Sequence, residues 1–306
     1  MPEAARRWAP WVGGAAVVAA AMTLAGLRSS RVERFCAPGF GAQRTRCCAP
    51  GQTEQAGRCV GAATSCPAPL EPGEGGACAP PPSRVSVPLT RLAPGTTDWE
   101  AAGQVRRAGA EVPAFVIDAF EVTETRWSGC ASEGRCRALE LTGEPGRPVV
   151  GLTVHDAAAF CAWAGGALPT PHQFEAAAAG AAGNRYPWGQ TGAVCRRAAW
   201  GRARGPCAQG ATGPELGGAF PDGATPLGVH DLAGNVAEWV QTADGSAVEV
   251  RGGSFGDEAA AALRSWSSRP APPAGSAEDV GFRCVYPPEK SNDSLPPPRE
   301  GVFRSP

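Results

Sequence analysis

The feature that most constrains this chain is its cysteine content. There are twelve, and six of them (Cys36, Cys47, Cys48, Cys59, Cys66 and Cys78) fall within 43 residues. Apolar side chains in that stretch are too few for a core, so covalent cross-links must replace burial. Residues 31–84 therefore read as a small disulfide module, with fifteen connectivities open to its six cysteines. Zinc is the competing use of clustered cysteines, but Cys47-Cys48 is not a Cys-x-x-Cys knuckle and the stretch holds no histidine. Cysteine usage on this scale predicts an oxidising compartment.

The remaining six cysteines divide by proximity. Cys130 with Cys136 and Cys195 with Cys207 are local pairs, each closing a short loop, worth roughly 2 to 3 kcal/mol in the chain-entropy model. Cys161 and Cys284 are left without a local partner and should bridge each other. The N-terminus agrees with export. Arg6 and Arg7 precede Trp8 to Leu27, a run of 20 residues without a charge, long enough at ~1.5 Å per residue to cross ~30 Å of hydrocarbon. Residues 1–30 are expected to be a signal anchor or signal peptide. The length of the run, and Arg28 and Arg31 behind it, favour an uncleaved anchor. The membrane is then a partner through residues 8–27, with the body extracytoplasmic, periplasmic or at the cell surface.

Charge and histidine content narrow the function classes. With 28 basic against 29 acidic side chains the chain carries no global field for nucleic acid, and no nucleic-acid partner is expected. His155, His172 and His230 include no i, i+4 pair, which excludes a helix-borne histidine metal site. If all twelve cysteines pair, none remains as a nucleophile.

Abundant turns follow from 41 glycines and 31 prolines. A half-buried strand is expected over 114–125, helices over 156–165 and 172–179, a long coil over 186–231 and a disordered, proline-rich tail over 288–306. Trp163, Trp188 and Trp239 read as space-filling core aromatics. Arg251 and Arg283 read as buried arginines, with Asp118, Glu121 and Glu175 as possible carboxylate partners.

Four blocks occur in order: PVVGLTVHDAAAFCAWAGGALPTPHQFEAAAAG at 148–180, YPWG at 186–189, PLGVHDLAGNVAEWV at 226–240, and VRGGSF at 250–255 followed by GFRCV at 281–285. Together they make the chain resemble the formylglycine-generating enzyme, or sulfatase-modifying factor, family over roughly residues 86–286. The resemblance implies an α+β, C-type-lectin-related single domain at 85–287 with little regular secondary structure, its loops held by cysteines and calcium. It also agrees with a Cys161–Cys284 bridge. Asp231, Asn235 and Glu238 form an array of hard oxygen ligands of the kind calcium takes. The resemblance places a calcium there, with the carbonyls of Gly234 and Val236 contributing. The competing reading is a turn in which Asp231 caps a backbone N–H and Glu238 is solvated. A second calcium site of the family is not matched at Ala198 and residues 209–213.

The chain departs from the family at the chemistry. Family enzymes oxidise a substrate cysteine with copper held by two cysteines, since soft thiolates select Cu(I). The matching positions here are Asp257 and Ala262, and no cysteine stands between Ser254 and Arg283. Ser254 matches the serine beside the family's active site, and a further family disulfide is lost at Ala178 and Ser267. No catalytic residue is assigned and copper is not expected. The iron-dependent sulfoxide synthases of the same family need three histidines, which these scattered ones do not supply. The reading is an extracytoplasmic sulfatase-modifying-factor-like protein, a non-catalytic binding or envelope protein. Its unidentified peptide, glycan or envelope-protein ligand would meet the surface from Ser254 to Arg269. The alternative is a formylglycine-generating-type oxidoreductase, catalysing protein cysteine oxidation, with an atypical site.

Overall fold

The computed structural model describes residues 36–94, 109–270 and 275–288. The apolar run at 8–27 and the tail beyond Pro288 lie outside the described residues. Among the described residues no helix is long and apolar enough to cross a membrane.

The cysteine-rich segment folds as three small hairpins: β1 (Gly41–Ala42) with β2 (Cys47–Cys48), β3 (Thr53–Gln55) with β4 (Arg58–Val60), and β5 (Glu71–Pro72) with β6 (Cys78–Ala79). Its disulfides join cysteines in sequence order, Cys36–Cys47, Cys48–Cys59 and Cys66–Cys78. Successive side chains of a strand point to opposite faces. Adjacent Cys47 and Cys48 on β2 can therefore be bridged backward and forward along the chain.

This module shares a core with the rest of the protein. Cys36, Phe40, Cys47 and Leu70 pack with Ala199, Leu216, Phe220 and Phe255. Beside that contact Arg46 is fully buried: its Nε donates to Glu215 at 2.8 Å, and its Nη1 donates to Glu144 at 3.0 Å and to the Gly57 carbonyl at 2.8 Å. The Cys47 and Cys59 N–H groups donate to Glu215 and Glu144 respectively, and Arg202 closes on Glu215 from the far side. Burial alone would raise the Glu215 pKa, but Arg46 and Arg202 outweigh it and hold the carboxyl below its ordinary value.

Beyond the module, β7 (Arg84–Val87) is an edge strand of a three-stranded sheet ordered β15-β10-β7, where β10 is Phe115–Asp118 and β15 is Val285–Tyr286. Between β7 and β10, β8 (Thr90–Leu92) pairs with β9 (Ala110–Val112). The strand expected over 114–125 is confined to β10. The chain then turns, because the buried Asp118 carboxylate accepts from Arg126, from the Cys284 N–H and from the Tyr286 hydroxyl. A helix not foreseen from the sequence, α1 (Glu124–Ser132), starts at Thr123, whose hydroxyl accepts the Arg126 N–H. The two expected helices are α2 (Val154–Trp163) and α3 (Pro171–Ala179). Both open on capping boxes, Thr153 with Asp156 and Thr170 with Gln173, which start them one or two residues earlier than the apolar periodicity suggested.

Cys161 on α2 is bridged to Cys284 just before β15. This joint lets Gly166 lie against the Val285 carbonyl and the Tyr286 ring, where a Cβ would clash. The expected coil over 186–231 contains one 3-10 turn (Pro221–Gly223) among its described elements and is held by Cys195–Cys207. After it come β11 (Ala237–Gln241), β12 (Val248–Arg251), β13 (Ser268–Pro270) and β14 (Val280–Gly281), forming a sheet ordered β13-β12-β11-β14 in which β11 and β14 run parallel. Of the three tryptophans read as core, Trp239 is fully buried with its indole N–H on the Leu152 carbonyl. Trp163 and Trp188 are only half-buried, and Trp127 and Phe160 fill the centre instead.

Arg46→Ala would leave Glu144 and Glu215 buried with fewer donors. Removing one partner of a buried ion pair costs about 3 to 5 kcal/mol, so denaturant unfolding should show a loss of that order. A loss under about 1 kcal/mol would mean that the module does not depend on this anchor.

Candidate functional site

The segment leading into β11 is unusual in its backbone. Asp231, Gly234 and Asn235 all have positive φ (55°, 83° and 57°), and left-handed non-glycine residues cost of order 1 kcal/mol each and persist only where their surroundings fix them. At Gly234 a Cβ would meet the Ala199 carbonyl at 2.6 Å. The surroundings here are polar. Asp231 accepts the Gly218 N–H. The Asn235 carboxamide accepts the Glu215 N–H through Oδ1 at 2.9 Å and donates through Nδ2 to Glu121 at 2.7 Å. Glu121 also accepts the Val236 N–H.

Glu238, on β11, faces Arg283. The Arg283 Nε donates to both carboxylate oxygens at 3.0 and 2.8 Å, and its Nη2 donates to Oε1 at 2.8 Å. The remaining Arg283 donors reach the carbonyls of Asp118, Ala119 and His230. Of the expected carboxylate partners of the two arginines, Glu175 does reach Arg251, while Asp118 and Glu121 need correction. Arg283 pairs with Glu238, Asp118 is held by Arg126, and Arg251 pairs with Glu249 at 2.6 Å, with Glu175 at 3.9 Å. Glu238 is buried rather than solvated, because Arg283 supplies the donors that water would otherwise provide.

Glu121, Asp231 and Glu238 crowd negative charge around one arginine. Burial first, then Asp231 and Glu238, push Glu121 well above the usual carboxylate range. Burial and the Glu238 charge carry Asp231 up to about 6, against the Gly218 hydrogen bond and Arg283. Burial likewise raises Glu238. His230, stacked on Phe120 with ring centroids 4.7 Å apart, is lowered to about 4 by burial and then by Arg283. It is therefore neutral near pH 7. As a calcium test, the array brings together the right ligand types and an excess of buried negative charge. Its side-chain oxygens, however, already accept from Arg283 and backbone or carboxamide donors, and no group of three His, Cys, Asp or Glu converges as a metal cage among the described residues.

Ser254 follows β12 in a second tight turn and is buried. Its hydroxyl lies 3.0 Å from Asp257 Oδ2 and 3.0 Å from Asp279 Oδ2. The Ser254 N–H donates to Asp257 at 2.7 Å, and Arg269 donates to Asp279 at 2.8 Å. Residues 252–256 (GGSFG) have the Gly-x-Ser-x-Gly spacing of a hydrolase elbow. The serine is nevertheless hydrogen-bonded to two carboxylates and to no histidine, so the Ser–His pair that such an elbow uses is absent here. Ala262 sits in the 3-10 turn Ala260–Leu263, against Gly253. The donor set at the two positions is thus one carboxylate, already engaged, and one methyl group. All cysteines among the described residues are in disulfides, so these residues do not fit a Cu(I) thiolate site.

Comparison with known proteins decides the family. The model of the sulfatase-modifying factor enzyme 1-like domain matches residues 77–287. The chain belongs to this family. It is similar to the inactive C-alpha-formylglycine-generating enzyme 2 of Bos taurus, 36% identical over 151 residues that cover 45% of this chain and 50% of the relative. It is also similar to the formylglycine-generating enzyme of Thermomonospora curvata, 34% identical over 104 residues, 32% of this chain and 34% of the relative. The chain thus spans about half the length, or less, of these two relatives. In fold it resembles PvdO from Pseudomonas aeruginosa, with a TM-score of 0.55 at 21% identity, covering 67% of this chain and 94% of that one.

The buried carboxylates of this sulfatase-modifying-factor domain set a pH dependence. Asp231 has its pKa raised from 3.8 to about 6, so the folded state binds its proton more tightly than the unfolded state does. Stability from that proton is complete below about 3.8 and is lost as pH rises through about 6. Across this window the melting temperature of the wild type should fall relative to that of Asp231→Asn. Parallel curves for the two proteins would show that Asp231 is not a buried, destabilised carboxylate.

Proposed function

We propose that this chain is a membrane-tethered, extracytoplasmic protein whose sulfatase-modifying-factor domain binds a peptide, glycan or envelope partner without oxidising it. The observation that carries this reading is the chemistry of the Ser254 loop, where an engaged Asp257 and the Ala262 methyl group replace two thiolates. Similarity to a relative named as inactive supports it. Six disulfides among the described residues support an oxidising compartment, and the 8–27 run supports the tether. A calcium at Asp231, Asn235, Glu238 and the Gly234 and Val236 carbonyls belongs to the same proposal. Its support is the excess of buried negative charge, which a divalent cation would relieve as a proton does. Repeating the pH titration in millimolar calcium should then flatten the wild-type curve and leave Asp231→Asn unchanged.

The deciding assay gives the purified protein a peptide containing Cys-x-Pro-x-Arg, with copper, oxygen and reductant, and reads the mass change from cysteine to aldehyde. Product should stay at background, because neither Asp257 nor Ala262 offers a soft ligand. Turnover that disappears in Ser254→Ala would overturn the non-catalytic reading in favour of an atypical oxidoreductase. Location has a separate check. Alkaline phosphatase fused after Pro306 should be active, whereas activity only from a cytoplasmic reporter at that position would place the body inside.

A further inference from the structure

Between Glu175 and Glu215 the sequence contains no acidic residue, yet it contains Arg185, Arg196, Arg197, Arg202 and Arg204. Arg202 is consumed inside, against Glu215. The other four belong to the loop closed by Cys195–Cys207 and to the turn beside it. That disulfide brings its two Cα atoms to 5.4 Å. The Arg197 guanidinium sits 5.9 Å from the Trp188 ring, which itself stacks on Tyr186. Arg185, Arg196 and Arg204 are exposed and Arg197 is half-buried. Among the described residues neither Arg185 nor Arg204 has an ion-pair partner. Arg196 has a long, exposed contact with Asp222 at 3.7 Å, worth little in water.

This basic loop adjoins the Ser254 segment along both of its arms. The Ser265 N–H donates to the Arg185 carbonyl at 2.9 Å, the Gly201 N–H to the Asp257 carbonyl at 2.7 Å and the Arg202 N–H to the Phe255 carbonyl at 2.9 Å. Gly205 lies against the Glu258 backbone. The acidic groups facing the loop are therefore Asp222, Asp257 and Glu258. Asp257 is turned toward Ser254, which leaves the positive charge in excess on the outer side.

We propose that the surface of residues 185–204 docks an acidic polypeptide segment of the partner. The proposal rests on the binding reading above and gives the ligand a charge. Arginines facing solvent without partners attract carboxylates over a Debye length and set the approach of a partner. The Trp188 ring is already engaged by Tyr186 and Arg197, which leaves no ready stacking platform for a sugar. Val194, 45% exposed at the loop's edge, offers an apolar contact to a side chain. A peptide that alternates glutamate with apolar residues fits these features better than a glycan does.

The test uses the full chain in detergent and a fluorescent decapeptide of alternating glutamate and leucine, with its lysine–leucine counterpart as control. The acidic peptide alone should bind, and binding should weaken about tenfold or more from low to physiological salt. Arg185→Glu with Arg204→Glu should weaken it about tenfold or more. Arg91→Glu with Arg135→Glu, which changes net charge equally on exposed positions elsewhere, should not. In the unmutated chain, the acidic peptide should protect Arg185 and Arg204 from phenylglyoxal, read by mass. Equal binding of the lysine peptide, unchanged binding by the Arg185/Arg204 variant, or absence of protection would overturn the proposal. So would binding of a sulfated glycan or an anionic vesicle with none of the acidic peptide. Aldehyde formation in the cysteine assay would instead refute the non-catalytic reading and leave the peptide result standing.

Discussion

The buried guanidinium of Arg283 is the contact around which the domain is organised. It joins Glu238 on β11 to the carbonyls of Asp118 and Ala119, where β10 ends, and to the carbonyl of His230, where the left-handed turn begins. The next residue, Cys284, is bridged to α2. Two adjacent residues thus tie together two sheets, one helix and the loop between them. In a low-dielectric interior such a charge is tolerated only with nearly all of its donors satisfied. A chain so poor in regular secondary structure uses five acceptors to do so. The left-handed residues Asp231 and Asn235 hold backbone conformations that the polar surroundings, more than local preference, maintain.

A second buried arginine plays the same part for the cysteine module. Arg46 sits next to Cys47-Cys48 and reaches Glu144 and Glu215, while Arg202 approaches Glu215 from the other side. The disulfides staple the module locally, Cys48–Cys59 joining its first two hairpins, and all three are internal to it. Its attachment to the domain therefore comes from this ionic contact and from the apolar patch that includes Phe255. Phe255 is the neighbour of Ser254, so the module braces, from within, the loop that in the family borders the chemistry.

What the loop does follows from its donors. With two carboxylates on its hydroxyl, Ser254 is a structural latch between Asp257 and Asp279, and Arg269 neutralises the outer one. The same backbone turn that would present thiolates to copper is here closed by hydrogen bonds. Electrostatics then shift outward. The acidic groups Asp257 and Asp279 are drawn into the latch, and the arginines of the neighbouring loop remain at the surface.

The sequence by itself determined the covalent plan of the domain, outside the cysteine-rich module, and pointed to the family. The local cysteine spacings made Cys130–Cys136 and Cys195–Cys207 legible, the two leftover cysteines pointed to each other, and the four ordered blocks named the fold. Helices α2 and α3 were readable because apolar periodicity and Thr caps are local signals. Helix α1 was missed because its apolar residues, Trp127 and Cys130, are too few to set a period, and its cap follows directly from a strand-like run. Only the tertiary structure decided which cysteines of the module pair, and which carboxylate each buried arginine takes. Arg283 and Glu238 lie 45 residues apart, and Arg46 and Glu215 lie 169 apart. Charge pairing at such separations leaves no periodic trace in a sequence, since a carboxylate on any of several loops would satisfy the arginine equally well. The choice is made when packing brings one of them within reach and excludes water from the rest.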